Sequence, residues 1–257
     1  RIDLGSSAMG YSVAAALCLA GDKIDPEVKR LALRTLDERI FSLYERVNAQ
    51  TGVSDERFGN WWFFGVNNWS AVCHAGVVRA ALAVIEDPAR RAAYVEAAER
   101  GMRFFLSGFL DDGYCTEGSS YWDYGYGHFL DLTTAVIGAT GGLVDFSRMP
   151  RARRAFLYGA ETRLDEENCP PFSDGGGRVG VKTLEKGVRF FPDLKPSVNG
   201  KLPPRTYFPD AQVYIGREPD FVFAVKGGNN NEFHNHNDVG SWSLIVKGVE
   251  MVGEGGS

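Results

Sequence analysis

The sequence predicts a multidomain α and β protein. A helical region spans residues 1–165, a connecting segment 166–204, and the start of an antiparallel β-domain 205–257. Three observations carry this. Apolar residues recur at helical spacing through the first two thirds of the chain. Cys169-Pro170-Pro171 and Gly175-Gly176-Gly177 then break any helix. After Pro203-Pro204 the pattern shortens to apolar runs separated by Gly, Pro or Asn, as in an antiparallel meander.

Taken in order, residues 8–20 are small and apolar and make a first helix. Pro26 opens a longer one, with Val28, Leu31, Leu36, Ile40, Leu43 and Val47 at helical spacing. Residues 68–86, rich in Ala and Val, form another that ends before Asp87-Pro88. Residues 88–109 follow, with Ala92, Val95, Ala98, Met102 and Phe105 on one face, and 121–139 and 150–163 complete the set. The connections Thr51–Gly65 and Asp111–Ser120 are rich in Gly, Asp and aromatics. Short links imply antiparallel pairs, which stack into a bundle, a solenoid or a closed toroid. Strands are expected at Ala211–Arg217, Phe221–Lys226, Ser241–Lys247 and Val249–Val252. A cleft between the helical and β regions is a common place for a site.

Composition excludes some roles. A formal charge of −5 provides no net basic field for nucleic acid. Arg148, Arg151, Arg153, Arg154 and Arg163 cluster, either as a solvated helix face or as a patch for a polyanion. Four widely spaced cysteines without a C-x-x-C exclude a cysteine zinc cluster and a redox motif, and are expected as free thiols. No apolar run reaches transmembrane length and no signal peptide is visible, so no membrane partner is expected. The chain opens on Arg1 and stops just after a strand, and is expected to be an excerpt of a longer protein.

The densest chemistry lies at His234-Asn235-His236-Asn237-Asp238-Val239-Gly240-Ser241. On a strand, His234, His236 and Asp238 would share one face, able to move protons or bind a metal. The plainer alternative is a polar turn between strands. Asn67-Asn68-Trp69 opens a helix, where one Asn serves as N-cap. Trp61, Trp62, Phe63 and Phe64 just upstream are either a packing plug or a sugar-stacking platform. In Glu117-Gly118-Ser119-Ser120-Tyr121-Trp122-Asp123-Tyr124-Gly125-Tyr126-Gly127-His128, the residues Tyr121, Tyr124 and His128 share a helical face. Gly125 and Gly127 weaken that helix without an evident packing reason, which favours a shaped pocket. A carboxamide, a phenol and an imidazole suit β-elimination at a uronic acid. A neutral donor holds the uronate carboxylate and stabilises the enediolate, while Tyr and His exchange protons. No carboxylate dyad of hydrolase type is evident.

These three blocks, Asn67-Asn68-Trp69, Glu117-Gly118-x-x-Tyr121-Trp122-x-Tyr124-Gly125 and Phe233-His234-Asn235-His236-Asn237-Asp238-x-Gly240-Ser241, resemble those of the heparinase II/III-like polysaccharide lyases, relatives of which act on heparin-type glycosaminoglycans or alginate. The resemblance implies an (α/α) toroid followed by a β-sandwich of antiparallel sheets, a bacterial source, and an acidic polysaccharide as substrate. It implies that Asn68 neutralises the carboxylate, Tyr124 is the acid or base with Tyr121 as the fallback, and His234 is the partner base. Trp61, Trp62, Trp69, Glu117, Trp122 and His128 would bind substrate. His236 would be the first ligand of a structural zinc and Glu254 the second; no organic cofactor is expected. Asn68 and His234 should then face each other across the cleft with Tyr124 between. The alternatives are a metal-dependent hydrolase using H-x-H-x-D, disfavoured because a strand follows, and a carbohydrate-binding relative without activity.

Overall fold

The computed structural model describes residues 1–50 and 59–253; Glu254 and the first part of the Thr51–Gly65 connection lie outside the described residues. Packing divides the chain into two compact units, Arg1–Phe105 with His128–Phe146 and Leu106–Gly127 with Ser147–Ser257. The division follows compactness rather than the change of secondary structure, in which the last long helix ends at Glu161 and the strands begin at Arg205.

In the first unit, α1 (Leu4–Ala20) starts four residues before the expected span. Asp3 accepts from the Ser6 N–H and the Asp3 N–H donates to Ser6 Oγ, both at 2.8 Å, a reciprocal cap that fixes the start. Pro26 and the cap residue Asp25 open α2 (Pro26–Leu36). The single helix expected from there to Val47 is interrupted by a wide π-turn over Asp37–Phe41 before α3 (Ser42–Ala49). Asn67 caps α4 (Asn68–Val84) by accepting from the Trp69 N–H at 3.2 Å, which leaves Asn68 as the first helical residue. α5 (Pro88–Ser107) and the later turns of α6 (Ser119–Ala139) complete this unit.

α1 packs along α4, and Gly76 permits the approach: a Cβ there would lie 2.6 Å from the Ser7 carbonyl oxygen. With its following turn, α1 forms a 20-residue stretch, Leu4–Lys23, holding an 18-residue window of mean hydropathy 1.3. By length and composition it is apolar enough to cross a membrane, which corrects the expectation that no run reaches that length. Core helices and signal sequences meet the same criterion.

The core of this unit gathers Trp62, Phe63, Tyr44, Tyr94 and His74, all buried. The Tyr44 hydroxyl donates to His74 Nδ1 at 2.7 Å, His74 Nε2–H donates to the Phe63 carbonyl at 3.2 Å, and Tyr44 stacks on Tyr94 at 5.1 Å. The aromatic loop is therefore a packing plug at Trp62 and Phe63, whereas Trp61 stays exposed.

In the second unit, Trp122, Tyr126 and Phe156 stack around α7 (Ala152–Glu161). The segment 166–204 contains two short helices, α8 (Val181–Gly187) and α9 (Lys195–Asn199). Five antiparallel strands follow in sequential order: β1 (Arg205–Phe208), β2 (Val213–Arg217), β3 (Phe221–Lys226), β4 (Trp242–Val246) and β5 (Val249–Val252). β1, which the sequence did not suggest, pairs Thr206 with Ile215 and Phe208 with Val213. Thr206, Phe208, Val213, Ile215, Ala224, Lys226, Ser243 and Ile245 form the buried face. Among these, Lys226 is a fully buried cation.

Candidate active site

The segment Phe233–Asp238 is not a strand. It lies in the irregular connection between β3 and β4, with His234 and Asn237 in the left-handed region at φ 55° and 61°. The carboxamides shape this turn. Asn235 Oδ1 accepts from the Asn237 N–H at 2.8 Å, and Asn235 Nδ2 donates to the Asn230 carbonyl at 2.7 Å. The expected alternation is therefore corrected: the three acid–base groups do not share one face. His234 and His236 converge instead on Asp174, with His234 Nδ1 2.6 Å from Oδ2 and His236 Nε2 2.6 Å from Oδ1. Asp238 turns inward. It accepts from the Ser173 N–H at 2.9 Å and lies 3.6 Å from Lys226 Nζ, which also pairs with Glu232 at 2.5 Å.

The start of α6 delivers Tyr121. Both Ser119 and Ser120 donate their hydroxyls to the Gly175 carbonyl, so this helix start is tied to the loop carrying Asp174. The contact needs glycine on both sides. A Cβ on Gly118, at φ 93°, would lie 2.8 Å from Gly175 Cα, and one on Gly175 would lie 2.7 Å from the Phe172 carbonyl oxygen. Tyr121 stacks on the His234 ring with centroids 4.2 Å apart and planes 28° from parallel. Burial, then the charges of Asp174 and Glu117, push its hydroxyl above the usual phenol range, so it stays protonated at neutral pH.

The remaining expected residues separate clearly. Tyr124 is exposed on α6. Trp122 is a core residue: its indole donates to the Ala155 carbonyl at 2.8 Å, and Gly159 makes room for its ring. Trp62 is likewise core, donating to the Ile2 carbonyl at 2.9 Å. Each is only 1% exposed, so neither offers a face to a sugar, and their expected substrate contacts are corrected. Gly127 has a packing reason after all, since a Cβ there would lie 2.9 Å from Thr183 Oγ1. In the first unit, Asn68 is buried, His128 is half-buried, and Trp61 and Trp69 stand 5.5 Å apart with the Arg1 guanidinium 5.9 Å from the Trp69 ring. Glu117 is buried. Three of the clustered arginines pair locally, as on a solvated face: Arg151 with Asp111, Arg153 with Asp193 and Arg154 with Glu161. Arg163 is instead buried and donates to the Ala160 and Ser197 carbonyls.

Among the described residues no three His, Cys, Asp or Glu side chains gather as metal ligands do, and His236 Nε2 is engaged by Asp174; Glu254, the other expected zinc ligand, lies outside the described residues. The four cysteines are unpaired thiols, and burial pushes Cys73 and Cys169 up to about 12, which keeps them protonated. Sequence reasoning found His234, His236 and Tyr121 but missed Asp174, Ser173 and Lys226. No local pattern marks an aspartate in a glycine-rich loop as the partner of a distant histidine pair.

No family model matches the chain, and no curated protein sequence does. Among solved structures, a heparinase III gene product superposes with a TM-score of 0.66 at 14% identity, over 96% of this chain and 41% of its own. A heparan sulfate lyase, a HepC mutant from Pedobacter heparinus, superposes with a TM-score of 0.53 at 15% identity, over 96% of this chain and 48% of its own. At such identities the likeness is one of fold. The chain spans less than half the length of these two neighbours.

Proposed function

We propose that this chain carries the catalytic part of a polysaccharide lyase that cleaves an acidic, uronate-containing polysaccharide by β-elimination. The observation that carries the reading is the phenol of Tyr121 stacked on the imidazole of His234, two proton-transfer groups side by side on a turn and a helix start. The fold it shares with a heparinase III and a heparan sulfate lyase supports the substrate class. The same reading takes the helices as part of an (α/α) toroid and the sheet as one layer of a β-sandwich.

In the reaction, the C5 proton of the uronate leaves and its electron pair forms the C4–C5 double bond. The C4–O bond then breaks, and the departing oxygen takes a proton. His234 removes the C5 proton. Tyr121, held protonated, supplies the proton to the leaving oxygen. The reaction also needs a neutral donor at the uronate carboxylate, so that C5 ionises against less negative charge, and Asn68, the first residue of α4, carries the carboxamide suited to that role. Trp61 and Trp69 offer stacking faces to neighbouring sugars, with His128 as a further polar contact. Glu117 acts through the negative charge it places near Tyr121.

The stacking favours Tyr121 over Tyr124 as the acid. Tyr121→Phe should lower turnover by about 10²–10⁴-fold, the usual worth of a positioned acid, with substrate binding nearly intact. Tyr124→Phe should keep most of the activity. The reverse pattern would return the role to Tyr124, and indifference to both would remove the mechanism.

A further inference from the structure

We infer that Asp174 is the positioning residue of this site: it holds His234 in the tautomer whose lone pair is on Nε2, and ties His236 to the same carboxylate. The inference rests on the lyase reading for its kinetic consequence alone. A carboxylate only accepts, so the 2.6 Å contact with His234 Nδ1 carries the ring's hydrogen and leaves Nε2 bare. The second oxygen does the same for His236 Nε2, so one side chain sets both rings of the H-x-H turn. His234 sits in the left-handed region at φ 55°, in the turn that brings its ring to this carboxylate.

Asp174 is itself fixed from both sides. Before it, Ser173 sits at φ 54° with its N–H on Asp238, and Asp238 is held beside the buried Lys226. After it, the Gly175 carbonyl receives the hydroxyls of Ser119 and Ser120 from the helix start that carries Tyr121. The short segment Ser173–Gly175 thus joins the turn bearing the base to the helix bearing the phenol. Asp174 and His234 are each about one third exposed, so their contact adds little to stability. Its consequence is orientation, which a substitution can remove without unfolding the protein.

The test is a long-range ¹H–¹⁵N correlation spectrum of the histidine-labelled protein at about pH 8, where imidazoles are ordinarily neutral, with His234 assigned by its loss in His234→Gln. The wild type should show His234 protonated on Nδ1 and bare on Nε2. Asp174→Ala should bring up the Nε2–H form, and kcat should fall on the order of 10²-fold with KM unchanged, the low end of what a general base supplies. Asp174→Glu, which keeps a carboxylate, should restore the tautomer and part of kcat. A wild-type His234 already protonated on Nε2, or a tautomer indifferent to Asp174→Ala, overturns the inference. Were the protein to cleave no polyuronate, the proposed function would fall while the spectrum still decided the role of Asp174.

Discussion

Two imidazoles in this chain show how surroundings decide what a histidine does. His74 is sealed among Tyr44, Trp62 and Phe63, with Gly101 so close that a Cβ there would lie 2.2 Å from its Nε2. Burial pushes its pKa down to about 4, from 6.5. The folded state therefore binds the proton more weakly than the unfolded chain, and the stability from neutral His74 is full above pH 6.5 and erodes as pH falls toward 4. The loss reaches about 3 kcal/mol at 1.36 kcal/mol per unit. Urea midpoints measured from pH 7 to 4 should show this slope in the wild type and a flatter one in His74→Gln; parallel slopes would contradict it. His234, by contrast, keeps an exposed edge and a carboxylate partner. At this scale the sequence disclosed which residue types carry chemistry, because H-x-H and the tyrosine cluster are rare compositions. It did not separate Tyr121 from Tyr124, since spacing places both on one helix and only the folded turn brings His234 against one of them. It also enrolled Trp62 and Trp122 as sugar contacts, because a buried indole and an exposed one read alike.

Helices were legible wherever apolar spacing and caps agreed, as at Pro26 with Asp25 and at Asn67. The π-turn at Asp37–Phe41 was not, because one extra residue in a turn leaves the apolar pattern nearly intact. β1 escaped because its four residues, Arg-Thr-Tyr-Phe, bury Thr206 and expose Tyr207, so no apolar alternation marks the strand. Of the two readings of His234–Asp238, the polar turn rather than the strand is what the structure has, and left-handed φ at His234 and Asn237 is what the side chains alone did not disclose. What holds that connection is the buried ammonium of Lys226, which meets Glu232 ahead of the histidines and Asp238 behind them. Lys226→Met should leave two buried carboxylates uncompensated and destabilise the protein by about 3–5 kcal/mol. Amide hydrogen exchange should quicken across residues 227–241. Urea unfolding indistinguishable from the wild type would show that the cluster is not what seats the turn.

Across the whole chain, the order of helices and then antiparallel strands was readable from periodicity alone, and it is the order the structure has. The division into compact units was not, because it depends on contacts between segments far apart in sequence. The likeness to two solved lyase structures is one of fold, held at 14% and 15% identity. Function is a narrower matter and turns on whether a C4–C5 double bond is made. The direct measurement is ultraviolet absorbance of the conjugated uronyl end group when the protein is incubated with heparan sulfate, hyaluronan, alginate and pectic substrates. Absorbance should rise on at least one of them with the wild type and not with His234→Gln. Chain scission with no such absorbance, or an equal rise in the variant, would contradict β-elimination by this site.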